Sequence, residues 1–279
     1  MSKKEIKYYK MNGLGNKFVI IDNREYNLSI DGDIVQKFFH ENYDQIISID
    51  ENKGHKVKIS TWNRDGSIAE VCGNATRCIA KLYFDERDNS QPITVISGRN
   101  KLLCYKLVDN RIMVNMGKPK LNWQEIPMTY SSDNLLEINY DFKIPEIELN
   151  RKPSVLNIGN PHIILWLGKM DKIDTELIGP KLENHKIFPN RINVSFAKVL
   201  SENSIKLDVW ERGAGLTQAC GTAACVVAYA SYKLNMSREE VTIELPGGKL
   251  DIKIDNDDYI LKTGPAELEY IDSISIVEE

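Results

Sequence analysis

The chain has 279 residues, enough for two ordinary domains, and is 42% hydrophobic and 27% charged, the balance of a globular protein. A formal charge of −4 with no basic stripe argues against nucleic acid as a partner, and no apolar run approaches the roughly 20 residues of a membrane helix. Five cysteines are too few, and odd in number, for a disulfide framework; together with a basic N-terminus lacking an apolar export segment, they point to free thiols in the cytoplasm.

In chain order, "KYYKMNGLGNKFVIIDNR" predicts a strand, a glycine turn and a strand. "DIVQKFFHEN" predicts a helix with Ile34, Val35, Phe38 and Phe39 on one face. "QIISID" and "VKISTWN" are strands, "GNATRCIAKLYFDER" a helix, and "ITVIS", "KLLCYKLV" and "RIMVNM" strands of an antiparallel sheet. Punctuation by Pro and Gly in "GKPKLNWQEIP" places a linker near 117–127. The plan then recurs. "VLNIGNPHIILWL" reads as strand, turn and strand, "DTELIGPKLENH" as a helix, "RINVSFAKVL" and "SIKLDVW" as strands. "CGTAACVVAYASYKLN" is an apolar helix and "VTIELPGGKLDIKID" a hairpin. A helix apolar all round has to be buried on every side, so a curved sheet wrapped around it is the expected solution. "GLGN" lacks the third glycine of a dinucleotide fingerprint and sits in a hairpin.

Two stretches align without gaps: "WNRDGSIAEVCGNATRCIA" at 62–80 and "WERGAGLTQACGTAACVVA" at 210–228, a constant offset of 148. A second pair, "GLGNKFVIID" and "IGNPHIILW", precedes them. The spacing is far beyond the roughly 20–50 residues of a solenoid repeat and indicates a duplicated domain. The expected domains are 1–120 and 121–266, with 267–279 returning to the first.

In each copy a Cys-Gly pair opens a helix, placing Cys72 and Cys220 at or beside an N-cap. Free N–H groups and the helix dipole there favour anions. The expectations are a lowered thiol pKa and a carboxylate seated on the N–H groups of Gly73-Asn74 and Gly221-Thr222. Two halves meeting face to face would set one thiolate and one thiol on opposite sides of a carbon, suited to removing a proton and returning one on the other face. Spacings of six (Cys72, Cys78) and five (Cys220, Cys225), with no histidine cluster, do not suit a metal. No pyridoxal-phosphate lysine site is evident, so no cofactor is expected. Cys78, Cys104 and Cys225 read as packing. Asn16 and Asn160 read equally well as turn residues after glycine, and Arg212 as an ion-pair partner of Glu211. A thiol-redox protein and a non-catalytic anion-binding module stay open on these residues.

With "MNGLGNKF", "YDQ", "NRDGS", "CGNATRC", "GNPH", "FPNRINVSF", "ERGAGLTQACGTAAC" and "LPGGKL" in this order, the chain resembles the diaminopimelate epimerases along nearly its whole length. The resemblance implies an α+β fold of two pseudo-symmetric domains, each a β-barrel-like antiparallel or mixed sheet around a central helix. It implies a cytoplasmic homodimer that interconverts LL- and meso-diaminopimelate, in lysine and peptidoglycan-precursor synthesis, without metal or cofactor. Cys72 and Cys220 match the acid/base pair, and His162 and Glu211 match residues that support catalysis. Asn16, Gln45, Asn63, Gly73, Asn74, Asn160, Asn193, Glu211, Arg212, Gly221 and Thr222 match substrate-binding positions. The chain departs from the usual pattern at Asn12 (commonly His), at Ala75-Thr76 (commonly Gly-Ala) and at Ala223 (commonly Gly). A related amino-acid isomerase on the same scaffold is the alternative within this class.

Overall fold

The computed structural model describes residues 3–26, 28–30, 32–38, 40–69, 73–87, 91–144, 147–168 and 173–277. The expected apolar contact of Phe39, and Cys72 itself, lie outside these residues. The chain divides into two compact units, Met1–Asn115 with Thr263–Glu279, and Met116–Lys262. This is a two-domain α+β fold.

The first unit opens with β1 (Lys3–Gly13) and β2 (Asn16–Asp22), joined by a tight turn in which Leu14 (φ 61°) and Gly15 (φ 86°) are both left-handed. The Asn12 side chain closes that turn by accepting from the Gly15 N–H at 2.8 Å. The chain crosses through α1 (Gly32–Lys37) to β3 (Gln45–Lys53), parallel to β2, then folds back antiparallel as β4 (Lys56–Asn63). A second crossover, α2 (Gly73–Glu86), leads to β5 (Ile93–Ser97), parallel to β4. β6 (Asn100–Lys106) and β7 (Ile112–Asn115) follow antiparallel.

The second unit repeats this path. β8 (Ser154–Asn157) and β9 (Pro161–Trp166) pair antiparallel, and α3 (Thr175–Glu183) crosses to β10 (Asn193–Ser201), parallel to β9. β11 (Ser204–Glu211) returns antiparallel and turns through the short β12 (Gly215–Thr217) into α4 (Gly221–Lys233). β13 (Glu240–Leu245) lies parallel to β11, followed by β14 (Gly248–Ile254) and β15 (Ile260–Gly264). β12 and β15 are not among the strands expected from the sequence. One is three residues long, and the other, "ILKTG", carries a lysine and a glycine that blur the alternation. The chain ends in β16 (Glu267–Val277), which pairs antiparallel with β1.

Both parallel crossovers in each unit are forced by topology: parallel neighbours need a connection long enough to hold a helix. The central one, α2 or α4, is enclosed by its sheet. α4 touches β8, β9, β10, β11, β13 and β14, and its residues from Ala223 to Ser231 are all buried. α2 is touched by β1, β2, β5, β6 and β7 and buries even Arg77, whose Nε donates to the Pro265 carbonyl at 3.0 Å. The stretch expected as a linker near 117–127 lies in the second unit. It and the residues that follow contribute Ile126, Met128, Leu135, Ile138 and Phe142 to a core with Ile178, Leu182 and Phe196. Among the described residues no helix is long and apolar enough to cross a membrane.

Because α4 has no open side, adding volume to it should be costly. Ala228→Leu, at a fully buried position, is expected to lower unfolding free energy by about 1–3 kcal/mol in urea melts.

Candidate active site

In the second unit the predicted residues converge at the start of α4. Cys220 is its N-cap, in extended conformation (φ −121°, ψ 107°), and is buried. The Ala224 N–H closes the first turn on the Cys220 carbonyl at 3.1 Å, which leaves the amides of Gly221 and Thr222 outside the helix's own hydrogen-bond ladder. The Cys220 Sγ lies 3.4 Å from Thr222 Oγ1, and that hydroxyl lies 3.1 Å from His162 Nε2. The same ring nitrogen meets Asn160 Oδ1 at 3.0 Å. With Nε2 protonated, both oxygens accept from it, and the Thr222 hydroxyl keeps its own proton for the sulfur. On the imidazole's other side, Nδ1 is buried and has no partner among the described residues.

Glu211 and Arg212 sit at the end of β11. Glu211 accepts from the Thr217 hydroxyl at 2.7 Å, a contact made by β12 and not foreseen from sequence. The Arg212 amide donates to Asn193 Oδ1 at 2.9 Å, and its Nη1 to the Asn190 carbonyl at 3.1 Å. Asn193 in turn donates to the Pro161 carbonyl at 2.8 Å and pairs in register with His162 across β9 and β10. Asn160, His162, Asn193, Glu211, Arg212, Cys220, Gly221 and Thr222 thus belong to one neighbourhood, tied by short polar contacts.

Electrostatics there run against one expectation. The thiol of Cys220 is not lowered by the helix start. Burial pushes its pKa well up, and the negative charge of Glu211 adds to that; the Thr222 hydroxyl and the Ala223 amide oppose the rise more weakly. A dipole effect of about 0.3–1 kcal/mol is smaller than the cost of ionising a buried sulfur. His162 is likewise held neutral, its pKa brought down to about 3 by burial first and the Arg212 charge second.

In the first unit, Gln45 Nε2 donates to Asn63 Oδ1 at 3.1 Å across β3 and β4, and Asn63 Nδ2 donates to Ser67 Oγ at 3.1 Å. Asn74, in the first turn of α2, donates to Asn16 Oδ1 at 2.5 Å. Gly13 permits this approach: a Cβ there would stand 3.0 Å from the Asn74 carbonyl oxygen. Gly73 begins α2 directly after Cys72 in the chain. The departures from the family pattern at Ala75, Thr76 and Ala223 are all buried. Cys78, Cys104 and Cys225 are fully buried as well. Among the described residues no three His, Cys, Asp or Glu side chains gather as metal ligands would.

A mixed sheet encloses a helix in each unit, and a buried thiol stands at the start of the second of these helices. Solved structures share this fold at low identity. A protein described as a predicted epimerase from Pseudomonas aeruginosa superposes with a TM-score of 0.66 at 14% identity, covering 96% of this chain and 99% of that one. A probable proline racemase from Agrobacterium radiobacter gives 0.65 at 8% identity, covering 96% and 92%. Sequence comparison is narrower. The diaminopimelate epimerase family model matches residues 8–122 and 154–269. The diaminopimelate epimerase of Pelagibacter ubique is 41% identical over 94% of this chain and 96% of its own length. That of a Wolbachia strain is 37% identical over 91% and 94%. The chain belongs to the diaminopimelate epimerase family.

Each of the two buried titratable groups at this site, His162 and Cys220, contributes to the stability profile with a defined sign. His162 is neutral when folded but gains a proton near pH 6.5 when unfolded. Its contribution is therefore complete above that pH and declines as pH falls toward 3. Cys220 stays protonated when folded but ionises near pH 9.0 when unfolded, so its contribution is complete below pH 9 and declines above it. In urea melts from pH 4 to 10.5, Cys220→Ser should make the alkaline decline shallower, leaving the part owed to the tyrosines with raised pKa such as Tyr43 and Tyr229, and should leave the acid decline intact.

Proposed function

We propose that this protein interconverts LL- and meso-diaminopimelate by transferring protons between the substrate α-carbon and two cysteines. The step belongs to lysine and peptidoglycan-precursor synthesis in the cytoplasm. The observation that carries the reading is the buried thiol of Cys220 at the start of α4, in contact with Thr222. Its counterpart in the duplicated motif is Cys72, directly preceding α2.

The reaction balances without an oxidant or added cofactor. The Cys72 thiolate takes the α-proton and becomes a thiol, the electron pair stays on carbon, and the Cys220 thiol delivers a proton to the opposite face and becomes a thiolate. The reverse direction exchanges the roles. Burial keeps Cys220 in the protonated form the acid needs. Glu211 and the Thr222–His162 contact stand where the proton on sulfur must come and go. Amides at the starts of α4 and α2 (Gly221-Thr222 and Gly73-Asn74) receive the carboxylate beside the reacting carbon and stabilise the charge that builds on it. The Arg212 guanidinium suits the remote carboxylate, and the amide groups of Asn16, Gln45, Asn63, Asn160 and Asn193 suit the ammonium and carboxylate groups. Asn193 has already committed part of its hydrogen-bonding capacity to Arg212 and Pro161, so it also holds the loop in place.

Cys72→Ala and Cys220→Ala are each expected to abolish epimerisation while leaving urea melts close to wild type. In deuterated water with LL-diaminopimelate and no added cofactor, the wild type should place deuterium at one α-carbon. Full turnover in either variant, or exchange with a different amino acid only, overturns the reading.

The proposed assembly is a homodimer. β16 is an 11-residue strand at the end of its sheet, and Leu268, Tyr270 and Ile271 on it are exposed. A long edge carrying apolar side chains is the kind of surface a second copy covers. Sedimentation should give twice the chain mass, and Ile271→Lys should shift the protein toward monomer.

A further inference from the structure

Glu183, the last residue of α3, is a buried carboxylate with no counterpart among the residues discussed so far. Its Oε2 accepts from Trp210 Nε1 at 2.7 Å. Its Oε1 accepts from the Gly213 amide at 2.8 Å and from Arg191 Nη1 at 3.1 Å. Trp210 and Gly213 are the residues immediately before and after the Glu211-Arg212 pair. One carboxylate therefore fastens both flanks of that dipeptide. Its backbone carbonyl also accepts from Ile192 at 3.2 Å, next to Asn193, which receives the Arg212 amide.

The same helix shapes the other half of the grip. Gly179 lies one turn before Glu183, on the same face of α3. A Cβ on Gly179 would stand 2.5 Å from the Cγ and Cδ2 atoms of Trp210, so the indole can lie against the helix only because no side chain is there. Gly179 sets the indole's distance and Glu183 its rotation. Gly213, with φ at +78°, bends the chain back so that its amide reaches the same carboxylate.

We propose that Glu183 is a positioning residue for the epimerase reaction, setting the place of the Arg212 guanidinium through Trp210 and Gly213. The proposal rests on the assignment of Arg212 to the remote carboxylate made above. Displacements of about 1 Å in a binding group can cost up to about 100-fold in rate. Glu211 has an independent hold through Thr217, so substrate binding should suffer more than the chemical step.

The test compares Glu183→Gln, Trp210→Phe and Arg212→Lys by steady-state kinetics with LL-diaminopimelate, alongside urea melts. Trp210→Phe keeps an aromatic ring on Gly179 and removes a single N–H, so it tests the contact even if Glu183→Gln folds poorly. The expected result is a KM raised about 10-fold in Glu183→Gln and about 3-fold in Trp210→Phe, with kcat within about 3-fold of wild type in both. A purely structural role would instead lower kcat in step with the folded fraction and leave KM alone, which overturns the proposal. An unchanged KM in Glu183→Gln and Trp210→Phe beside a raised KM in Arg212→Lys overturns it while sparing the functional reading. An unchanged Arg212→Lys enzyme overturns the assignment of Arg212 and the proposal with it.

Discussion

A helix without a polar face has to be enclosed, and that requirement organises the second unit of this protein. α4 runs from Ala223 to Ser231 without an exposed residue. A flat sheet would cover one side of it; covering all sides takes a sheet that curves, with strands arriving from both directions. The chain meets this with two parallel crossovers per unit, one of which is the enclosed helix itself. Its first residue then lies where β11 ends, β12 turns back and β9 begins. Cys220, Glu211 and His162 are brought together by this closure and not by nearness in sequence.

Enclosure also sets the protonation states. The barrel end that excludes water from α4 excludes it from Cys220 and His162, and an ionised group there forfeits more solvation than a helix dipole returns. Sulfur and imidazole both stay neutral at ordinary pH. Beside these neutral groups and the charges of Glu211 and Arg212, the backbone amides at the start of α4 are dipoles held in place by the helix itself. A dipole held in place before charge develops needs no rearrangement when it does.

Much of the fold was legible because both of its signals are periodic or repeated. Alternation in "VKISTW" and "IKLDVW" marks β4 and β11, and the offset of 148 marks the duplication. Legibility failed where the determinant is distant in sequence. Ile126, Met128, Ile138 and Phe142 lie in a stretch of almost no regular structure, and their burial depends on α3 and β10 arriving later in the chain. Within the site, the Cys-Gly helix start was visible as a local motif. The direction of the Cys220 shift was not, since it depends on how deeply the sheet closes over the sulfur and on Glu211, nine residues away. Thr217 and Glu183 were invisible for the same reason: "GLT" and "KLEN" carry no pattern, and only the folded β12 and α3 reveal what they touch.

The two units also show which parts of the repeated motif the architecture needs and which it leaves free. Ala75 and Ala223, and Ala80 and Ala228, are matched small residues and are buried in both copies, because a helix ringed by strands has little room on any side. Two positions beyond Ala75 and Ala223 the copies part: Arg77 stands where the second copy has Cys225, yet both are fully buried. The guanidinium needs hydrogen-bond acceptors, and it donates to the carbonyl of Pro265 at 3.0 Å and to that of Gly73 at 3.5 Å. Pro265 precedes β16, the last strand to join the first unit, which pairs along β1. The charged helix α2 and the apolar helix α4 are each enclosed by strands of their own unit, and in the first unit the chain's final segment also supplies the carbonyl that receives Arg77. Identical residues record the shared enclosure, and the divergent ones record how each unit closes it.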